Sequence, residues 1–277
     1  MTIAIKPILK YPGAKWNLAP WIISHFPAHQ HYIEPFFGSG AVFFNKRPAK
    51  HEVINDLSGD VVNLFRIIRE DGERLAALIE MTPWGREEYE LSYAPCDDPM
   101  ERARRFVVRC WQGHGGASIV GASAWRHQGR DANDKKQLPA QKWLYMSDKI
   151  LGLVGRLQGV EIEHRPAVNV IERHDTPGIL IYADPPYPQK SRRPRMYQHE
   201  MTDADHALLL DALDAHPGPV VLSGYHCAFY DDHLRHWHTR EKQAQAEKGN
   251  TRTEVLWLNQ TCVDRLGYGP MFDQEAL

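Results

Sequence analysis

Short apolar runs bounded by turn residues recur along this chain, and between them lie longer stretches whose apolar positions repeat every three to four residues. The runs at 31–35, 52–55, 160–165, 178–183, 220–223, 236–243 and 254–259 have the length and composition of strands. The stretches at 16–25, 39–45, 59–69, 72–81, 86–92, 98–112, 139–156 and 202–215 read as helices. In the last of these, Thr202 is a natural N-cap, Asp203 and Asp205 fall in the first turn, and Leu208, Leu209, Leu210 and Leu213 supply an apolar face. Alternation of the two kinds predicts an α/β fold with a mostly parallel sheet covered on both faces. The final two strand candidates have no helix between them, which predicts an antiparallel hairpin at the sheet edge.

One region breaks the alternation. Residues 113–138 contain Gly113, Gly115, Gly116, Gly121 and Gly129 among polar and basic side chains, with no sustained period. That is too long for an idle connection in a compact domain and reads as a functional loop. Residues 69–157 are therefore expected to form an inserted, mainly helical subdomain, with 1–68 and 158–277 building the sheet domain around it.

Composition narrows the class. A chain of 277 residues, 43% apolar and 25% charged, suits one soluble α/β domain with an insertion. No apolar stretch approaches the ~18 residues that span a bilayer, and no secretory leader is evident, so a cytoplasmic location in a bacterial or phage-infected cell and no membrane partner are expected. Cys96, Cys110, Cys227 and Cys262 lie far apart without C-x-x-C spacing and are expected to be buried free thiols. The 15 histidines form none of the zinc-enzyme spacings, so no metal is expected.

Net charge is −2, yet cations are unevenly placed. Residues 100–145 carry nine Lys or Arg against three acids, and Lys190, Arg192, Arg193 and Arg195 follow one another without an intervening acid. Charge runs often decorate a solvated face. The first of these, around 102–109, is read that way, whereas the second, beside the motif described next, is read as a phosphate-contacting surface.

The chemistry concentrates in Asp184-Pro185-Pro186-Tyr187, directly after the apolar run 178–183. Two prolines in succession make a rigid corner with no N–H. The Pro185 carbonyl and the Asp184 carboxylate can then each accept one N–H of an exocyclic amine, leaving the nitrogen lone pair free to attack an electrophile. Tyr187 offers an aromatic face for a flat base, a contact worth ~1 to 3 kcal/mol in single-stranded nucleic-acid sites. An isolated Asp-Pro-Pro is as easily a plain turn; the preceding strand and the following aromatic favour the chemical reading.

A second constellation, Glu34-Pro35-Phe36-Phe37-Gly38-Ser39-Gly40, falls where the first strand meets a helix. Glycines there let backbone approach a ligand, and helix N-terminal amides favour anions. The third glycine of a dinucleotide fingerprint would fall at Phe43, which disfavours NAD or FAD. Asn55-Asp56 ends the next strand, where an acid commonly bonds the ribose hydroxyls of an adenosine. Together these point to a nucleoside ligand without a diphosphate, and S-adenosyl-L-methionine fits. Near the N-terminus, Lys10 and Lys15 flank the turn Tyr11-Pro12-Gly13-Ala14; Lys15 is a candidate partner for the ligand's carboxylate, and Tyr11 for packing on the ligand.

Taken in order, KYPGAK, EPFFGSG, IND, DPPY, VVLSGY and TRTEVLWLN resemble the Dam-type, alpha-class family of S-adenosylmethionine-dependent N6-adenine DNA methyltransferases over nearly the whole chain. The resemblance implies a seven-stranded Rossmann-like methyltransferase sheet, an inserted target-recognition subdomain, double-stranded DNA as partner, and an adenine rotated out of the duplex into the pocket of Asp184, Pro185, Pro186 and Tyr187. It implies cofactor contacts from Tyr11, Lys15, Glu34 to Gly40, Asp56 and Asp184, with Val168 and Asn169 near the cofactor's adenine and S-adenosyl-L-homocysteine as product. Trp125, Arg126, Arg130, Lys135 and Lys136 are the candidates for reading DNA. Family members that recognise GATC commonly carry an aromatic-Asn and a Pro-x-Gly pattern in the recognition loop. Here residues 113–133 read GHGGASIVGASAWRHQGRDAN, so GATC is not carried over, and a prophage or restriction-modification enzyme with another site is expected. A monomer is the expected state, with a dimer compatible. Rival readings are methylation of another amine, such as cytosine N4 or an RNA base, and a catalytically silent DNA-binding protein.

Overall fold

In a computed structural model, residues 6–11, 13–114, 121, 123–126, 138–188, 199–245 and 251–267 are described. Seven strands form a single sheet: β1 (His31–Glu34), β2 (His51–Asn55), β3 (Glu161–Glu163), β4 (Ile179–Ala183), β5 (Val220–Gly224), β6 (His238–Gln245) and β7 (Thr251–Leu258). Their order is β3-β2-β1-β4-β5-β7-β6. The first five are parallel to one another, whereas β7 runs antiparallel to both β5 and β6. The Rossmann-like sheet with an antiparallel edge hairpin is thus as the sequence predicts.

The alternation within β4 explains its unbroken apolar run. Leu180 and Tyr182 enter a core on one face of the sheet, and Ile179, Ile181 and Ala183 enter a second core on the other. A strand buried on both sides has no polar face to show. The first core is closed by helices α1 (Ala19–Ile23), α2 (Ala41–Asn45), α3 (Gly59–Glu80), α5 (Pro99–Gln112), α6 (Pro139–Trp143) and α7 (Met146–Leu157), and α4 (Arg86–Leu91) packs against α5. From them Phe65, Ile68, Phe106 and Ile150 join Tyr32 and Leu180 in one cluster. The second core is closed by α8 (Ala167–Arg173), α9 (Asp203–Ala215) and α10 (Ala228–His233), and α11 (Gln260–Leu266) follows β7.

Several boundaries differ from expectation for local reasons. The helices expected at 59–69 and 72–81 are the two arms of α3, which meet as expected at a kink where Asp71, with φ of −150° and ψ of 47°, is not helical. The single helix expected at 139–156 is two, α6 and α7. Thr202 caps α9 as expected, its hydroxyl accepting from the Asp205 amide at 3.2 Å. Leu208, however, is 60% exposed, and it is His206 that turns inward with Leu209, Leu210 and Leu213. Of the four thiols only Cys110 and Cys262 are buried; Cys96 and Cys227 are partly exposed. Among the described residues no helix is long and apolar enough to cross a membrane, and no group of three or more His, Cys, Asp or Glu could hold a metal ion.

Candidate active site

β1 and β4 are parallel neighbours, but the chain leaves β1 for β2 on one side of the sheet and leaves β4 for β5 on the other. Such a switch in strand order opens a crevice at the carboxyl ends of the strands, where open α/β sheets bind ligands. The Glu34 to Gly40 segment follows β1, and the Asp184 to Tyr187 segment follows β4. A cleft open to solvent runs between them, bounded by Tyr11, Lys15, Glu34, Gly38, Asp56 and Asp184. Phe36, Phe37, Ser39 and Pro186 complete the part of its wall that the sequence singles out. Pro35, Gly40, Pro185 and Tyr187 stand behind that wall; Val168 and Asn169 sit on α8, with Val168 packed against the second core.

The glycine turn is held by Asp56. Its Oδ2 accepts from the Gly38 amide and its Oδ1 from the Ser58 amide, each at 2.8 Å, tying the loop after β1 to the start of α3. Asn55 braces the same loops, its side-chain amide donating to the carbonyls of Pro35 at 2.9 Å and Arg165 at 3.0 Å. Gly38 and Gly40 have positive φ, 51° and 66°. Such backbone disfavours any side chain, and a Cβ on Gly40 would lie 2.5 Å from the Phe37 ring. Glu34 is buried beneath the turn with its Oε2 accepting from the Tyr32 hydroxyl at 2.7 Å. Burial raises its carboxyl to about 8, against the Tyr32 hydrogen bond and reinforced by the charge of Asp184. Burial likewise raises the Asp56 carboxyl, and the two amides oppose the shift.

On the other wall, the Lys15 ammonium lies 3.1 Å from Asp184 Oδ1 and 3.4 Å from Glu254 Oε1, and it donates to the Gly13 carbonyl at 3.1 Å. It also sits 4.8 Å from the centre of the Tyr187 ring. The Tyr187 hydroxyl donates to Glu254 Oε1 at 2.5 Å, and the Ser223 hydroxyl donates to the same oxygen at 2.9 Å. Burial raises the Asp184 carboxyl to about 6, with Lys15 opposing and Glu254 adding to the shift. Lys15, expected to face a ligand carboxylate, is engaged here by two carboxylates of the protein itself. Glu254 and Ser223 escaped the sequence reading, although one signal was present: an acid directly before the apolar run Val255 to Leu258 of β7 has no reason to be buried unless it serves another group.

The DNA-reading candidates are only partly in view. Trp125 pairs with Gly113 through a single antiparallel bridge, and its indole donates to Gln112 Oε1 at 3.3 Å while the Arg86 guanidinium stacks on its ring. The Arg126 amide donates to the Gln112 carbonyl at 2.7 Å, and Trp84 donates to the Arg126 carbonyl at 3.1 Å. Both therefore stand at the C-terminal end of α5. Arg130, Lys135, Lys136, Lys190, Arg192, Arg193 and Arg195 lie outside the described residues.

Comparison with known proteins agrees with this geometry. The chain is 37% identical over 78 residues to the Type II methyltransferase M1.LlaDCHI of Lactococcus lactis subsp. cremoris, covering 28% of this chain and 27% of that protein. It is 29% identical over 118 residues to the DNA adenine methylase of Salmonella typhi, covering 40% and 42% respectively. It is also 30% identical over 73 residues to the DNA N-6-adenine-methyltransferase of Escherichia phage P1, covering 26% and 10%. The chain thus spans less than half the length of each of these relatives. Residues 11–109, which hold the glycine turn and Asp56, match the family model of D12 class N6 adenine-specific DNA methyltransferases, and in that region the chain is similar to those enzymes.

Proposed function

We propose that this protein is a site-specific DNA methyltransferase that moves a methyl group from S-adenosyl-L-methionine to N6 of an adenine flipped out of double-stranded DNA. The observation that carries this reading is the cleft itself, which joins Asp56 on the nucleoside side to Asp184 on the amine side without a wall between them.

The residues suit S-adenosyl-L-methionine. Asp56 has a carboxylate fixed by two amides where ribose hydroxyls would lie, Tyr11 borders the glycine turn, and Glu34 offers a buried acid to the ligand's amino acid end. When bound, the cofactor would supply a sulfonium methyl whose bonding pair stays on sulfur as the carbon passes to nitrogen. Around the cleft the acids Glu34, Asp56 and Asp184 outnumber the single lysine, Lys15, which favours a cationic donor.

Asp184 and the Pro185 carbonyl then hold the two amino hydrogens, so that the nitrogen lone pair points away from the ring toward the donor. As nitrogen gains positive charge, the Asp184 carboxylate stabilises it and accepts the departing proton for transfer to water. Trp125, Arg126, Arg130, Lys135 and Lys136, carried by the insert at 69–157, together with Lys190, Arg192, Arg193 and Arg195, would hold and read the duplex at a sequence other than GATC.

The test is nucleoside mass spectrometry after incubating the protein, S-adenosyl-L-methionine and unmethylated genomic DNA. N6-methyladenine is expected, and Asp184→Ala should abolish it while cofactor binding persists. N4-methylcytosine alone, an unmodified digest, or full activity of Asp184→Ala would refute the assignment.

A further inference from the structure

The Lys15 ammonium sits where the proposed target amine must go. It contacts Asp184 at 3.1 Å and stands over the Tyr187 ring at 4.8 Å, the same acid and the same aromatic that would receive the base. An exocyclic amine cannot donate to Asp184 Oδ1 while the ammonium holds that oxygen. Something must draw Lys15 aside, and a second carboxylate is already within reach. Glu254 Oε1 lies 3.4 Å from the same ammonium, with its orientation fixed by hydrogen bonds from Tyr187 and Ser223.

We propose that Glu254 is a positioning residue for the methyl transfer, taking the Lys15 ammonium from Asp184 when the target amine arrives and so converting a self-paired resting site into one that accepts a base. This rests on the methyltransferase reading above. Its physical basis is that a buried cation cannot simply leave for water without stranding the carboxylates around it. Lys15 and Glu254 are both less than a tenth exposed, and a small rotation of the flexible lysine stem keeps the ion pair while emptying Asp184. The Tyr187 hydroxyl reports to the same oxygen, so the acceptor of the ammonium also fixes the ring on which the base would rest.

The titratable groups facing Asp184 come from several elements: Lys15 on the N-terminal segment, Glu34 on β1, Tyr182 on its own strand, Tyr187 in the corner, Tyr230 on α10 and Glu254 on β7. Removing Lys15 and removing Glu254 therefore act oppositely. Lys15→Met deletes the cation that favours ionised Asp184, moving the acid limb of the rate profile to higher pH. Glu254→Gln deletes a like charge and leaves Lys15 wholly on Asp184, moving the limb to lower pH.

The experiment compares wild type, Lys15→Met, Glu254→Gln and the double variant in single-turnover methylation of unmethylated genomic DNA at saturating S-adenosyl-L-methionine, across pH, with thermal melts to confirm folding. Glu254→Gln should slow the reaction roughly tenfold or more, with the KM for the cofactor little changed. Adding Lys15→Met to it should recover a large part of that loss, because an absent ammonium needs no acceptor. Losses that multiply, or acid limbs that shift in the same direction, overturn the proposal; a structural role for Glu254 alone gives multiplying losses. If Glu254→Gln does not fold, Glu254→Asp takes its place: a slowed reaction that adding Lys15→Met restores in large part supports the proposal, and losses that multiply refute it. Wild-type protein that forms no N6-methyladenine refutes the methyltransferase reading and this inference with it, whereas an active wild type with multiplying losses refutes this inference alone.

Discussion

The Gly38 amide donates to Asp56 Oδ2 at 2.8 Å, and this bond joins the loop after β1 to the loop after β2 across the mouth of the cleft. The other oxygen of the same carboxylate receives the Ser58 amide. Asp56 therefore shapes the turn as well as facing a ligand. Asp56→Ala strands two amide donors and is expected to cost about 1.5 to 3 kcal/mol for each charge-assisted bond lost. Asp56→Asn keeps one acceptor oxygen but turns an NH2 toward the other amide, so its loss should be intermediate. Denaturant melts of the two variants, alongside S-adenosyl-L-homocysteine titrations, check the order: wild type tightest and most stable, Asn next, Ala last. An Asn variant as weakened as Ala would show that the hydrogen bonds do not set the turn.

Asp184 sets the acid side of the pH profile. With its carboxyl raised by burial to about 6, the ionised form that accepts from an amine is lost as pH falls through that value. Single-turnover methylation should rise with pH to a plateau, with its midpoint near that value. Asp184→Asn should lose both the rate and the midpoint, since an amide does not titrate. A profile in the wild type that stays flat down to pH 4 would remove Asp184 from the reacting group.

Gly40 is the position in the turn least able to accept a side chain. Its φ is 66°, and an added Cβ would meet Phe37 Cζ at 2.5 Å and Phe44 Cε2 at 2.6 Å, both in the first core. Gly40→Ala combines left-handed strain with overpacking of two phenylalanines, an effect of about 2 to 4 kcal/mol. At Gly38 the neighbour is the Tyr11 ring at 3.2 Å, at the edge of the cleft, so Gly38→Ala should spare stability more and weaken cofactor binding more. Thermal melts and ligand titrations of the two variants separate these outcomes; equal losses in both measurements would contradict the geometry.

The parts of the fold that were legible in the sequence are those whose signal is local. β4 and β5 announce themselves because burial on both faces demands unbroken apolar runs, and α9 because Thr202 and Asp205 make a reciprocal cap. The glycine turn and the proline corner are legible for a related reason, since special backbone needs special residues. The short helices α8, α10 and α11 were not read, because six or seven residues span no more than two turns, too few for a repeating apolar face to stand out, and their sequences mix β-branched, aromatic and acidic side chains. The Lys15, Asp184 and Glu254 triad was out of reach for another reason. Its members are separated by most of the chain and meet only because β7 pairs with β5, which pairs with β4. The strand order that brings Glu254 to the proline corner is a property of the whole sheet.

Glu34 offers a test that needs no DNA and no turnover. Its carboxyl is raised from an ordinary 4.5 to about 8, chiefly by burial, so between those values the unfolded chain is ionised at this position while the folded protein remains protonated. Unfolding then releases a proton, and the stability of the folded state falls as pH rises through that window, by up to about 1.4 kcal/mol per pH unit. Glu34→Gln keeps a similar shape, can still accept from the Tyr32 hydroxyl, and does not titrate. The difference in stability between variant and wild type should therefore grow from pH 5 to pH 8 in the variant's favour and level off beyond. Other titrating groups, Asp184 included, are present in both proteins and largely cancel in the difference. S-adenosyl-L-homocysteine, whose ammonium would favour the ionised acid, should narrow the gap in wild type by binding. Chemical denaturation of both proteins at four or five pH values measures this directly, and a difference that does not change with pH would mean that Glu34 is already ionised beneath the turn.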